Sequence, residues 1–548
     1  MYYSQSEIIN FKLLADKARV DSDMLKDLIE ADKQSKLKLS MVKGEKYYMG
    51  EHDYLQHQNL YYDSNGNSVE IKTRANNLIP VQFFTLSADQ KKEYLLGKPP
   101  TISIEEPWVE DETAPTKEEK IAIAQAEKFQ TDLTKQLGKK FNNILGDSVL
   151  GATKKALEWI HFYIDPDGSF QYVITPAQQI IPIYDVQYEN KLIEIIRYYE
   201  YTLINTQSKS RVQRYKVERW TSTEVTYYEQ GENGGFSLDL YYETNPYPHW
   251  MDVNKALAKT VKNNWGRPPF VPVFNNSQGT NDLQPIKELM DAYDKVISGW
   301  ANDLEDIKQL ILILKGYNQL SEATKKGLSE LEYFLQTLHT YGAIPIDNDG
   351  SVTNLSNDIP VDARERFLKI CRDAIFEIGR MVDSTKMMQG DVTNVAIKSH
   401  YAGLDMKCNA MIAELQESLV DIMWFIVTWM NKKNNTKYDY NQIDFTFNKS
   451  QIFNEAEFTT SLVTVADRIS EKTFLENLPF VDDVDEEIAR LEADRERKNS
   501  TNMANLDNVP DENYYDKDGR VITDKNYTGE LYDAAGNEVR ESRNITTA

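Results

Sequence analysis

The stretch Asn281–Lys432 constrains the fold more than any other part of the sequence, because most of it has the apolar period of long helices. It divides into a helical run, a compact insert, a second helical run, a short glycine-bearing loop and a long amphipathic run, at Asp282–Asp306, 307–357, Pro360–Val382, Ser384–Val395 and Ala396–Lys432. In the first run, apolar residues recur every three or four positions and form one continuous face. Paired helices of this kind make a poor enzyme pocket but a good wall for a channel.

The rest of the chain mixes helical and strand patterns, which predicts the α+β class. Apolar residues alternate with a period of two from Lys155 to Asp239, which indicates an antiparallel β-rich region. Helical patterns occupy Lys120–Leu145 before it and 454–498 near the end. The polar tail from Thr501 repeats a small unit, YYDKDGRVI and LYDAAGNEV, which predicts short hairpins or disorder.

The charge balance argues against a generic nucleic-acid binder. Lys and Arg total 62 and Asp and Glu total 86, so the net charge is −24, whereas such binders carry a basic face. Cys371 and Cys408 lie in apolar helical patterns and are predicted to be buried thiols. The N-terminus lacks a signal-peptide pattern, and the longest apolar run, Leu419–Met430, is too short to span a bilayer. We therefore expect a soluble intracellular protein with no membrane partner.

The sequence offers no recognisable enzyme chemistry. Neither GxxxxGK[ST] nor GxGxxG occurs, and no spacing selects a Ser-His-Asp set or a catalytic pair of carboxylates. His52 and His57 are five residues apart, which is not the spacing of a helical metal site. Five Asp-x-x-Gly sequences fit turns better than calcium loops, because an EF-hand needs glycine at its sixth position. We predict no catalytic residue, metal or cofactor.

Seven strings, in this order and spacing, give the chain a resemblance to a known family. They are YYMGEHD at Tyr47–Asp53, Asn76–Pro100, YIDPDGSF at Tyr163–Phe170, WGRPPFVPVFNN at Trp265–Asn276, Asn281–Tyr317, Gly390–Asn409 and SEKTFLENLPFVDD at Ser470–Asp483. Over about residues 40–490 the sequence resembles the portal proteins of tailed double-stranded DNA bacteriophages, in the family typical of siphophages of Gram-positive hosts. Val81-Gln82 departs from the Asn-Phe pair expected there, and the tail from residue 501 has no counterpart.

The resemblance implies a portal fold assembled as a ring, usually of twelve subunits. Its parts would be a mixed α/β wing, a helical stem, an α/β clip and a helical crown. The implied boundaries are 1–278 for the N-terminal segment and wing, 279–306 for the first stem helix, 307–357 for the clip, 358–383 for the second stem helix, 384–395 for the tunnel loop, 396–450 for the long wing helix and a returning strand, 451–500 for the crown and 501–548 for the tail.

The resemblance also implies a function and partners. The ring would occupy one capsid vertex of the virion after assembly in the host cytoplasm, as the head-to-tail connector and the conduit for packaging and ejecting double-stranded DNA. The large terminase subunit and then a head-completion adaptor would dock on it, and the major capsid and scaffolding proteins would contact it. The alternatives are a metal-dependent nuclease of the packaging system and a capsid-bound adaptor, although adaptors are usually much shorter.

Three groups of residues are candidates within this architecture. The tunnel loop would surround DNA as a mobile collar, the alternative being a plain helix connection; its residues are Lys386, Met387, Met388, Gln389, Gly390, Asp391, Val392, Thr393 and Asn394. The clip run would pair either across subunits or within its own subunit, near the terminase and adaptor surface, through Leu310, Ile311, Leu312, Ile313, Leu314 and Lys315. The apolar stem stripes would pack between neighbouring subunits through Tyr293, Ile297, Trp300, Phe367, Ile370 and Ile378.

A net acidic conduit would repel DNA phosphates, so that the duplex slides.

Overall fold

The computed structural model describes residues 22–62, 66–70, 75–105, 107–108, 116–185, 191–204, 211–254, 259–306, 311–315, 351–355, 360–387 and 394–450, together with short stretches between 459 and 538. The chain divides into two compact units, Met1–Ile452 and Phe453–Ala548. Residues 1–21, which include part of the N-terminal segment, lie outside the described residues, as does most of the 307–357 insert.

The described parts of the first unit combine helices with antiparallel sheets, so the predicted α+β class is confirmed. The helices are α1 (Ser22–Lys33), α2 (Lys36–Tyr48), α3 (Phe83–Leu96), α4 (Lys117–Leu137), α5 (Lys140–Lys155), α6 (Lys287–Asp306), α7 (Val361–Ile378), α8 (Ser384–Met387) and α9 (Asn394–Asn434). The strands are β1 (Leu60–Tyr62), β2 (Ser68–Glu70), β3 (Thr101–Ile104), β4 (Leu157–Ile164), β5 (Phe170–Thr175), β6 (Ile180–Tyr184), β7 (Leu192–Ile204), β8 (Arg211–Trp220), β9 (Glu224–Gln230), β10 (Phe236–Leu238), β11 (Tyr247–Pro248), β12 (Trp250–Asn254), β13 (Lys259–Asn263), β14 (Phe270–Phe274), β15 (Ile311–Lys315), β16 (Ser351–Leu355) and β17 (Ile443–Thr446).

The β-rich region is an antiparallel meander with one added strand. The order β10-β9-β8-β7-β6 follows the chain, and β11 also pairs with β9. A second sheet, β14-β4-β5, packs against α9 through its apolar face, where the rings of Phe162 and Phe425 stack with centroids 4.7 Å apart. Much of α9 is buried, including Cys408, and Cys371 of α7 is buried as well, as the sequence predicted. At about 1.5 Å per residue the 41-residue α9 is about 60 Å long.

The helical pattern predicted at Lys120–Leu145 is two helices rather than one. Thr116 and Glu119 form a capping box that begins α4, which explains why the helix starts before the predicted boundary. It ends at Gly138, whose φ of 62° a side chain would disfavour, and α5 begins two residues later. The break lies inside a continuous apolar pattern, which is why periodicity did not show it.

The Asp-x-x-Gly sequences that the structure describes with their hydrogen bonds are turns. In β4–turn–β5 the amide of Gly168 donates to the Asp165 carbonyl at 2.8 Å, and Gly168 has a φ of 79°. In the second unit Gly519 donates to Asp516 in the same way at 2.9 Å. The metal-ligating side chains of the described residues form no group that could hold a metal ion.

The second unit contains α10 (Glu471–Glu476), a helical stretch at 487–493 and paired residues of the repeated tail unit. Tyr515 pairs with Val521, and Tyr532 pairs with Glu538 six residues on in the same way. The two tyrosines also pair with each other, through amide–carbonyl bonds of 2.9 and 3.0 Å. Of the two alternatives for the tail, these residues follow the hairpin pattern.

Candidate functional site

The two stem candidates, α6 and α7, lie side by side and antiparallel. Asp303 near the end of α6 forms an ion pair with Arg364 near the start of α7. At the other end, Ile286 and Met290 pack with Ile375 in one apolar cluster. With 20 and 18 residues, the helices are about 30 and 27 Å long. Helix α6 begins at Lys287, five residues after the predicted start, because Asp282–Ile286 form turns instead.

Helix α7 has two apolar faces, and within the part of the chain that the structure describes one of them is buried while the other is largely exposed. The inner face, with Leu368, Cys371, Ile375 and Phe376, is buried against the rest of the unit. The candidate stem residues of α7 lie on the other face: Phe367, Ile370 and Ile378 are 42, 67 and 48% exposed. Tyr293, Ile297 and Trp300 of α6 are half-buried. The described residues of this chain therefore leave the apolar stripe that the sequence identified on α7 largely exposed.

An extended segment lies along α6, held by a ladder of three hydrogen bonds that the sequence did not predict. The backbone amides of Asn77, Ile79 and Val81 donate to side chains one helical turn apart, Asn302, Ser298 and Asp294 in that order. The Ile79 and Val81 bonds measure 3.0 and 2.9 Å. Every second residue of an extended chain faces the same side, and so does every fourth residue of a helix, so the two periods match. Pro80, which has no amide hydrogen, falls between two donors.

The buried end of this ladder is closed by a histidine. Asp294, which is fully buried, accepts from Nδ1 of His52 at 2.5 Å as well as from the Val81 amide. The His52 ring stacks on Tyr47 with centroids 4.6 Å apart. The polar residues Asp294 and Ser298 thus occupy the buried face of α6, where the apolar periodicity would place hydrophobic residues. The signal that the sequence offered for this ladder was an Asp and a Ser four residues apart inside an apolar helix pattern.

The segment predicted as the tunnel loop, Ser384–Val395, contains helical residues at both of its ends. Ser384–Met387 form α8, and α9 begins at Asn394, two residues before the predicted start. Met388, Gln389, Gly390, Asp391, Val392 and Thr393 lie outside the described residues. Lys386 is not free in this structure, because its Nζ lies 3.2 Å from Oδ1 of Asp373 on α7.

Asp383 fixes the start of α8 against α7. Its carboxylate accepts two bonds from Arg372, at 2.8 and 3.0 Å, and two from Thr385, at 3.1 Å from the amide and 2.7 Å from the hydroxyl. These hydrogen bonds, with those of Arg372 foremost, hold the pKa of Asp383 well below its ordinary value even though burial opposes this. We call Arg372, Asp383 and Thr385 the loop latch.

The clip candidates form a strand that pairs within the chain. Ile311, Leu312, Ile313, Leu314 and Lys315 make up β15, which pairs antiparallel with β16 in the register Ile311↔Leu355 to Lys315↔Ser351. Leu310 lies outside the described residues. The pairing satisfies one edge of β15 from its own chain, and pairing across subunits stays a prediction for the other edge.

No described helix is long and apolar enough to cross a bilayer.

The family model described as "Phage portal protein, SPP1 Gp6-like" matches residues 27–501. A portal protein of Bacillus phage SPP1 is 30% identical over 482 residues, which cover 87% of this chain and 86% of the relative. A portal protein of Clostridium phage phiCD119 is 25% identical over 485 residues, covering 85% of this chain and 94% of the relative.

Proposed function

The chain belongs to the family of SPP1 Gp6-like phage portal proteins, and on that premise we propose that it forms the ring through which double-stranded DNA enters and leaves the capsid. The observation that carries the ring is the uncovered stripe of α7, because exposed apolar residues spaced along one helix mark an interaction surface. In a cyclic assembly each copy covers the exposed α7 stripe of its neighbour, so no stripe remains in contact with water.

The resemblance to portal proteins assigns the parts of the ring in chain order. Helices α6 and α7 are the stem, and the insert between them, with the β15–β16 pair, is the clip, where the large terminase subunit and then the head-completion adaptor dock. Helix α8 and residues 388–393 form the tunnel loop, and α9 crosses the wing. The β-rich region belongs to the wing, which faces the major capsid and scaffolding proteins.

The wall of the conduit is acidic on the stem. Besides the buried Asp294, helix α6 carries two lysines against five acidic residues, Glu288, Asp291, Asp303, Glu305 and Asp306. With the chain at −24, such a wall repels DNA phosphates, and the duplex slides without being held.

Electron microscopy of the purified chain tests the assembly. We expect turbine-like rings of about twelve copies with a central hole. A monodisperse monomer at high concentration would contradict the proposal. A magnesium-dependent cleavage assay on duplex DNA tests the alternative nuclease, and we expect no cleavage.

The tunnel loop is tested by deletion. Removing Met387–Thr393 should leave ring assembly intact, because α7 and the stripe are untouched, but should impair DNA packaging. Replacing the same residues with a Gly/Ser segment of equal length is the control for chain connectivity. Normal packaging by the deletion variant would argue for a plain connection between helices.

A further inference from the structure

A cleft between α3, α7 and α9 carries more positive than negative charge, although the chain as a whole is acidic. It measures about 270 Å³, and its ionisable lining residues are Lys91, Lys407, Arg380 and Asp282. Its remaining walls combine polar residues, Asn276, Thr280 and Asn281 among them, with the apolar Pro285 and Ile378. Three cations face one carboxylate.

The two lysines share a single carboxylate oxygen. Nζ of Lys91 lies 3.2 Å, and Nζ of Lys407 lies 2.9 Å, from Oδ2 of Asp282. Lys91 is only 1% exposed, and Asp282 is 8% exposed. Burial would raise the pKa of Asp282, but the two lysines outweigh it and hold that pKa well below the ordinary value. The carboxylate balances one ammonium group, and burial, as the largest cause, lowers the pKa of Lys91, so its charged form lacks a full counter-charge at this position.

The ammonium of Lys91 also has capacity left. It donates to Asn275 Oδ1 at 2.7 Å and to Asp282, which uses two of its three N–H groups. Lys407, by contrast, has three acceptors: Asp282, the Ser87 hydroxyl at 3.1 Å and the Gly379 carbonyl at 3.0 Å.

Arg380 stands where a glycine would be expected. The amide of Met381 donates to the Phe376 carbonyl and that of Arg380 to the Glu377 carbonyl, which is the Schellman pattern at the end of α7. In this pattern Arg380 has a φ of 52°, the left-handed conformation that glycine adopts at least cost. A strained non-glycine residue on the rim of a cationic cleft points to a use for its guanidinium group.

We propose that this cleft binds an oxyanion of the phosphate class, held by Lys91 and Arg380. Arginine matches a phosphate with two parallel hydrogen bonds, and the buried lysine gains the counter-charge that Asp282 cannot supply alone. The ligand is free phosphate or a phosphate of the DNA backbone, and only the second source rests on the proposed function.

Three substitutions separate this proposal from a purely structural role. Arg380→Gly suits the left-handed position, so without anion the ring should melt at the same or a higher temperature than the wild type. Its affinity for inorganic phosphate should nevertheless fall about tenfold or more, as expected for the loss of a charge-assisted bond. Lys91→Met leaves Asp282 paired with Lys407 alone, so it should fold, and it should lose the phosphate response. Arg380→Lys keeps the charge and should retain part of it.

The measurement is thermal stabilisation of the full-length protein by inorganic phosphate, against chloride at equal ionic strength. If phosphate stabilises the wild type in a saturable way and Arg380→Gly weakens that stabilisation, the site is supported. Equal stabilisation of the wild type, Arg380→Gly and Lys91→Met would overturn it. The absence of stabilisation in the wild type would overturn it as well. A labelled DNA duplex then identifies the source: competition with phosphate assigns the DNA backbone, and its absence assigns free phosphate. Because the phosphate titration does not need a ring, a monomer that binds phosphate would refute the proposed assembly and leave the anion site standing.

Discussion

The loop latch makes a quantitative prediction for Asp383→Asn. The substitution keeps one oxygen for Thr385 but removes the negative charge that accepts both bonds from Arg372. A hydrogen bond to a charged group contributes about 1.5–3 kcal/mol. Since the Arg372 side chain is 30% exposed and can be rehydrated, we take about 2 kcal/mol for the lost pair. The start of α8 should then open about 30-fold more often, because 1.4 kcal/mol corresponds to a factor of ten.

Hydrogen exchange of the assembled protein, read on a peptide containing the Thr385 amide, measures this opening. Asp373→Asn is the matched control, because it removes the carboxylate paired with Lys386, and that pair is exposed. An exposed pair contributes at most about 1 kcal/mol, so the control should exchange no more than about fivefold faster. If Asp383→Asn exchanged no faster than Asp373→Asn, the latch would not hold the loop.

The pH dependence of the latch has a definite sign. The folded pKa of Asp383 is depressed, so its stabilisation is present above the unfolded value of about 3.9 and is lost as the pH falls through the folded pKa. After correction for intrinsic exchange rates, opening at Thr385 should be constant from about pH 8 to pH 5. An increase within that range would refute the assignment.

Three further predictions concern the ladder, the stripe and a buried histidine. Ser298→Ala removes the acceptor of the Ile79 amide, so the free energy of unfolding should fall by about 1–2 kcal/mol in urea titrations, and an unchanged midpoint would exclude the ladder as a stabilising feature. Ile370→Asp places a charge on the uncovered stripe and should yield smaller species by mass photometry, whereas Ile121→Asp, at an isoleucine 58% exposed elsewhere, should still form rings. Burial is the largest cause that lowers the pKa of His161, to about 3. Below about pH 6.5 the unfolded chain therefore takes up a proton at this residue, whereas the folded chain does not. Stability should therefore fall by about 1.4 kcal/mol per pH unit below that point on account of this residue, and His161→Phe should reduce the slope of unfolding free energy against pH by one proton.

The sequence predicted those features that depend on local period. The apolar spacing of α6, α7 and α9 placed three helices to within a few residues, and the alternation after Lys155 placed the meander. The same period on α7 selected Phe367 and Ile370, but it could not tell which of two apolar faces the chain itself covers. That choice depends on Ile375 meeting Met290, residues 85 positions apart, and no local pattern contains it.

The candidate site was predicted less completely than the fold. Lys386 was expected to face DNA, but its partner Asp373 lies on a different helix and becomes its neighbour only after folding. Arg372, Asp383 and Asp282 are ordinary polar residues by composition, and the hydrogen bonds and ion pairs that give them their roles form only after folding. The resemblance supplied the assembly, which one chain cannot show.

The ladder on α6 joins two elements whose repeat lengths are close but not equal. Two residues of extended chain advance about 6.6 Å, while four residues of helix advance about 6.0 Å, so each step adds a mismatch of about 0.6 Å. Three rungs, the number present here, accumulate about 1.2 Å, and a fourth would exceed what an N–H···O bond tolerates. A slip by one helical turn toward the start of α6 would bring the Val81 amide to Met290, whose side chain has no oxygen to accept it. The length mismatch and Met290 together limit how far the segment can shift along α6 in that direction.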